Sequence, residues 1–206
     1  GNYKDENTLI KALVFGGHNI TYQSWFGIDA QTLREDRTFN PAGQYTDENG
    51  DTQFYDNEID NYKQDHYQLH WNEKFNKNWS SNLALNYTYG RGYFEQYRED
   101  ADMAFHNIGP LLISGESGSI FIDQTDLIRR RWLDNDYYVV NGNINYTDNA
   151  WDVTAGAFYS YYTNEHFGEV IWARFAGLSE IRDEYYRGNG TKTEVNVFTK
   201  ATHRIN

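Results

Sequence analysis

The chain has 206 residues, 39% hydrophobic and 17% aromatic, and its 30 acidic side chains against 18 Lys and Arg give a formal net charge of −12. That balance excludes a nucleic-acid partner, which calls for a basic stripe, and the rings exclude a disordered acidic tail. With no cysteine there is neither a disulfide framework nor a thiolate metal site, and no apolar run reaches the roughly 18 residues of a transmembrane helix. Mean hydropathy is −0.85, so the apolar matter sits largely in 18 Tyr, 12 Phe and 6 Trp. Tyr and Trp join an apolar body to a polar tip, which suits a boundary between oil and water.

Alternation of period two predicts six strands, at about 8–16, 62–75, 79–89, 136–147, 151–162 and 193–205. The first, TLIKALVFG, is apolar on both faces except at Lys11. The second sets Tyr67, Leu69, Trp71 and Phe75, interrupted by Glu73, against Gln68, His70, Asn72 and Lys74. In the third, Leu83, Leu85, Tyr87 and Tyr89 oppose Asn82, Ala84, Asn86 and Thr88; in the fourth, Tyr138, Val140, Ile144 and Tyr146 oppose Asn141, Asn143 and Asn145. The fifth opposes Val153, Ala155, Ala157, Tyr159 and Tyr161 to Asp152, Thr154, Gly156 and Ser160, with Phe158 on the polar side. The sixth is weaker: Val195, Val197 and Ala201 share a face, and Phe198 falls on the other.

Any half-buried antiparallel sheet alternates in this way. Three further features point to a membrane. Short turns (Asn76-Lys77-Asn78 and Asp148-Asn149-Ala150) alternate with long connections, as short periplasmic turns alternate with long extracellular loops in outer-membrane barrels; the predicted loops are about 17–61, 90–135 and 163–192. Rings recur at a fixed offset of about eight residues: Tyr67 to Phe75, Trp79 to Tyr87, Tyr138 to Tyr146, Trp151 to Tyr159. At about 3.3 Å per residue that is about 26 Å along a strand, and about 20 Å of height at a tilt of roughly 40°, near the roughly 25 Å apolar band between aromatic girdles. The predicted strands also run to about 11–14 residues, against about 5–6 in globular proteins. These eight rings are therefore the expected membrane-interface aromatics. The expected fold is all-β, an antiparallel up-and-down transmembrane β-barrel. Six strands fall short of the eight with which bacterial barrels begin, so the chain is expected to be part of a larger barrel.

The stretches KALVFGG (11–17), DRTFNPAG (36–43), FYDNEIDNYKQDHYQLHW (54–71), GRGYFEQYRED (90–100) and RRRWLDNDYY (129–138) resemble the barrel region of TonB-dependent receptors of Bacteroidetes-type bacteria. The resemblance implies a 22-stranded barrel in the bacterial cell outer membrane, closed by a plug domain. It implies uptake of a scarce solute such as a ferric siderophore, haem, cobalamin or a glycan, energised by TonB. The plug and its TonB-contacting motif match nothing in this chain, so TonB is expected to act through a missing plug region. Outer-membrane lipid, lipopolysaccharide and a small solute are the other expected partners.

Arg129, Arg130, Arg131 and Trp132 form the one basic cluster and are the candidate solute-binding residues, since guanidinium pairs bidentately with carboxylate and phosphate. They could equally meet lipopolysaccharide phosphates, and the plainer expectation is ion pairing with Asp134 and Asp136. YTDENGDTQF reads as a hairpin turn on Asn49-Gly50; its partial likeness to a calcium loop lacks the distal Glu. Asp56, Glu58 and Asp60 alternate onto one face and read as a solvated acidic loop before a cation site. His66 and His70 lie about 13 Å apart on a strand, too far to share an ion, whereas His18, His106 and His166 fall in loops. No G-x-S-x-G, H-E-x-x-H or phosphate-cradling loop occurs. The expectation is therefore a non-enzymatic transporter without a cofactor. A passive porin and a soluble carbohydrate-binding β-sandwich are the alternatives.

Overall fold

The computed structural model describes residues 1–115 and 118–205. It is all-β apart from one short helix, Ala30–Glu35, and a 3-10 turn, Ala104–His106. Among the described residues no helix is long and apolar enough to cross a membrane.

Seven strands make one open antiparallel sheet: β1 (Asn2–Lys4), β2 (Thr8–Tyr22), β5 (Ile59–Lys74), β6 (Trp79–Asp102), β9 (Gln124–Thr147), β10 (Trp151–Ala173) and β11 (Glu184–His203), in that spatial order. Two hairpins stand outside it: β3 (Gln44–Thr46) with β4 (Thr52–Phe54), and β7 (Leu111–Gly115) with β8 (Gly118–Ile122).

The short turns share one device. Asn76 Oδ1 accepts from the amides of Asn78 and Trp79, and Asp148 Oδ1 accepts from those of Ala150 and Trp151. Asp5 Oδ1 does the same for Asn7 and Thr8. An Asx side chain that satisfies the two amides beyond it closes a tight turn locally. The Asp5 turn and the strand β1 that it carries were not expected; an Asn or Asp three residues before a strand, as in the other two turns, was the available signal.

The long strands outrun their predicted limits, always at the end away from these turns. Instead of loops over 17–61, 90–135 and 163–192, β2 continues to Tyr22 and β5 begins at Ile59. Strands β6 and β9 stay paired as far as Asp102 opposite Gln124, and β10 continues to Ala173. The connections that remain are 23–58, 103–123 and 174–183. The first folds over one face of the sheet extension. There Gln23 Nε2 donates to the carbonyls of Ile59 and Glu95, and Thr46 N donates to Glu99 Oε1. The second folds over the opposite face and holds the buried cluster of Ala101, Met103, Ile108, Leu127 and Val170. The principal apolar core thus lies at the long-connection end rather than beneath the alternating strands.

Candidate functional site

Register assigns the two faces of the sheet. Ala12, Leu69, Leu85, Val140 and Tyr159 form one cross-strand row, and Val14, Tyr67, Tyr87, Tyr138 and Tyr161 the next. Among the described residues nothing covers these rows of the ringed face: Val14 is 73% exposed, Tyr138 45% and Val197 76%. Towards the short turns the band ends on Phe75, Trp79 and Tyr146, with Trp79 and Tyr146 ring centroids 4.9 Å apart; Trp151 stands one pleat beyond. Towards the long connections it ends on stacked rings, Tyr67 against Tyr87 at 5.7 Å and Tyr87 against Tyr138 at 4.9 Å. One row further on, the same face carries Asp65, Tyr89 and Asp136, and the row after that Lys63, Arg91, Asp134 and Glu165. Apolar surface gives way to ion pairs within two pleats, with Lys63 paired to Asp65 at 3.2 Å and Arg91 to Asp134. Glu73, the odd residue of the ringed face, lies at the short-turn end and accepts from Thr8 Oγ1 at 2.6 Å.

The opposite face is a web of amides and hydroxyls. Asn82 and Asn145 both donate to Asn143 Oδ1, and Thr154 donates to Asn145. Phe198, the apolar residue of β11 on this polar face, lies over Gly156, where a Cβ would meet its ring at 2.6 Å. Nearer the long connections, Tyr62, His66, Asn135, Tyr137 and Tyr162 line a trough of about 740 Å³. Asn135 is its pivot, donating to Tyr62 Oη at 3.0 Å and accepting from Tyr162 Oη at 2.7 Å.

The predicted basic cluster is split by the strand pleat. Arg130 lies on the ringed face, where its Nε bonds Glu95 Oε2 at 2.7 Å and its guanidinium lies 4.3 Å from the centroid of Tyr93. Trp132 shares that face: it stacks on Phe167 at 5.8 Å, and its Nε1 donates to Glu169 Oε2 at 2.9 Å. Arg129 and Arg131 lie on the polar face. The expected pairing with Asp134 and Asp136 does not occur: Asp134 is held by Arg91 and Asp136 accepts from Tyr87 Oη, because alternation turns both carboxylates to the face that Arg129 and Arg131 leave. Sequence inspection missed Glu95, which is 1% exposed and also accepts from Tyr55 Oη and Asn57 Nδ2, both at 2.5 Å. A carboxylate so bonded pushes the Tyr55 hydroxyl well above its usual range, with burial the larger cause. Tyr97, half-buried and bonded to Asp126, is pushed up to about 12.

Of the acidic triplet, Glu58 is not solvated but 3% exposed, and its Oε2 accepts from Tyr97 N at 2.9 Å. The hairpin at Asn49-Gly50 forms, closed by Asp47 N to Asp51 O at 2.9 Å, with Gly50 at φ +84. His18 bonds Asn61, and His106 bonds Arg129; among the described residues no three His, Asp or Glu side chains gather closely enough to hold an ion. In comparisons with known proteins, no family model and no curated protein matches the chain.

Proposed function

We propose that this sheet is part of the wall of an outer-membrane β-barrel, and that the protein is a receptor and transporter of the TonB-dependent type that draws a scarce solute through that wall. The uncovered apolar band between two rows of rings carries the reading. Each fully buried Val, Leu, Ile or Phe side chain stabilises a fold by about 1.5–3 kcal/mol, and a water-soluble sheet would forgo that at more than a dozen positions. Hydrocarbon removes the penalty, and the rings mark where it meets water. A soluble carbohydrate-binding sandwich would need a second sheet over the same band. In lipid the open edges of the sheet must pair with further strands, since unpaired backbone is not tolerated there.

Above the upper rings the strands continue as a vestibule, roofed on its polar face by residues 103–123. Solute capture belongs to this polar face and its trough, and TonB would act through a plug.

The test has two arms. The protein should sediment with membranes, require detergent for extraction and run with heat-modifiable mobility; recovery in aqueous supernatant would overturn the barrel. Because Asp102 and Gln124 are register partners, replacing residues 103–123 by a tight turn keeps β6 and β9 paired. That variant should assemble yet lose solute-dependent growth; native growth would put capture elsewhere.

A further inference from the structure

We infer that Arg131 and Arg129, on the polar face of β9, form a binding site for the acidic group of an anionic, ring-bearing solute whose ring lies in the adjoining trough. This rests on the transport reading for its purpose, but not for its chemistry.

The pleat separates these two arginines from their neighbour. Arg130 takes Glu95 on the ringed face, whereas among the described residues neither Arg129 nor Arg131 has a carboxylate within ion-pair distance. Guanidinium without an ion-paired carboxylate is notable in a chain of net charge −12. Arg131 is exposed. Its Nε is held by Tyr186 Oη at 3.0 Å, and Phe94 and Tyr186 flank the guanidinium at 5.3 and 5.5 Å from their centroids. The rings fix the plane of the fork while its two terminal nitrogens carry no partner among the described residues. A planar fork of that kind receives carboxylate or phosphate bidentately.

Arg129 adds a second positive charge two residues along the same face. Among the described residues its nitrogens bond only neutral groups: Gln96 Oε1 at 3.0 Å and His106 Nε2 at 3.3 Å. His106 Nδ1 faces the Asp102 carbonyl at 2.8 Å, so Nδ1 bears the proton and Nε2 accepts from Arg129. The polar-face carboxylate nearest in register, Asp60, belongs to β5. Two strand spacings, about 10 Å, separate β5 from β9; Glu58, just before β5, is close enough to Arg129 to interact with its charge but forms no ion pair with it, its Oε2 being turned to Tyr97 N. Two pleats from Arg131, the trough offers Tyr62, Tyr137 and Tyr162 as ring-stacking walls and Asn135 as a hydrogen-bonding pivot. Two pleats are about 13 Å along the strand, so an anion held at Arg131 would place there a ring carried on a spacer of about that reach.

Titration calorimetry on the purified full-length protein in detergent tests this, with phenyl phosphate as the probe and the neutral phenyl β-glucoside as its uncharged counterpart. The wild type should bind phenyl phosphate, less tightly as salt is raised, and prefer it to the glucoside. R131Q should weaken binding by about 10- to 100-fold, the loss of a charge-assisted pair, and R131K should recover part of it. K63Q makes the same change of net charge on the ringed face and should leave binding intact. Equal affinity of R131Q and wild type, preference for the glucoside, or no phenyl phosphate binding at millimolar concentration would each overturn the inference. Detergent-dependent extraction is scored separately, so a failed anion site in a membrane-bound barrel is distinguishable from a failed barrel.

Discussion

The Tyr62 hydroxyl on β5 crosses over β6 to accept a hydrogen bond from Asn135 on β9, and it crosses at Gly90, where any Cβ would overlap Tyr62 Oη. One side chain thereby ties three strands on the polar face. G90A should displace the ring and lower the unfolding free energy by about 1–3 kcal/mol, the usual cost of overpacking. Y62F, which loses only the hydrogen bond, should cost about 1 kcal/mol. Urea unfolding of G90A/Y62A should show less than the sum of the single effects; strict additivity would mean the two residues do not compete for this space.

Glu95 holds connection 23–58 against the sheet through Tyr55 and Asn57 while neutralising Arg130. Removing one member of a fully buried pair costs about 3–5 kcal/mol, and E95A should cost less than that, because the Arg130 left behind is only half-buried. E95A should therefore free residues 23–58 for rapid proteolysis while the alternating strands stay protected. Native cleavage rates in E95A would show that the connection is held by other contacts.

Burial lifts Glu58 from 4.5 to about 6, outweighing the Tyr97 amide and the nearby Arg98 and Arg129, all of which act to lower it. A carboxyl whose folded pKa is raised binds its proton more tightly when folded. Its stabilising contribution is thus present below about pH 4.5 and is lost as pH rises through about 6, a difference of about 2 kcal/mol at about 1.4 kcal/mol per unit. Amide protection factors in residues 23–58, corrected for the intrinsic rise of exchange with pH, should be lower at pH 8 than at pH 5. E58Q should narrow that gap and protect the connection at pH 8; an unchanged gap would assign the pH response to another group.

The two faces of the alternating strands should differ in access to water. Single cysteines at Asn82, Asn86, Asn141, Asn143 and Asn145 should react with a water-soluble thiol reagent, and those at Leu83, Leu85, Val140 and Ile144 should not. Reaction of the second set alone would invert the proposed faces. Brominated lipids should quench Trp79 and Trp151 from similar depths, within the one pleat of about 7 Å that separates their rows.

The alternating halves of the strands were legible in the sequence because one face is mostly apolar and the other mostly polar, with Glu73, Phe158 and Phe198 as exceptions, so period two survives. It vanishes beyond the upper rings. In GYFEQYREDAD and QTDLIRRRWLDND both faces are covered, one by connection 23–58 and the other by residues 103–123, and buried or ion-paired side chains such as Glu95, Leu127 and Arg130 appear on either side. Charge there looks like loop. The rows of rings were readable by the same logic, since they need only sequence spacing. Which face each arginine takes required the register that continues through 90–102, and the roles of Glu58 and Glu95 depend on residues about 40 positions apart that no local pattern connects.

The continuation of β6 from Tyr87 to Asp102 changes the route to the trough. At about 3.3 Å per residue it spans about 50 Å, or about 35–40 Å of height at a tilt of roughly 40°. In a membrane the mouth of the vestibule would then stand above the headgroups by more than the hydrocarbon is thick. A solute would travel down a chimney with stiff walls before meeting the trough, and a large particle such as an antibody would touch only its rim. Molecules small enough to descend would be selected first by girth and only then by charge.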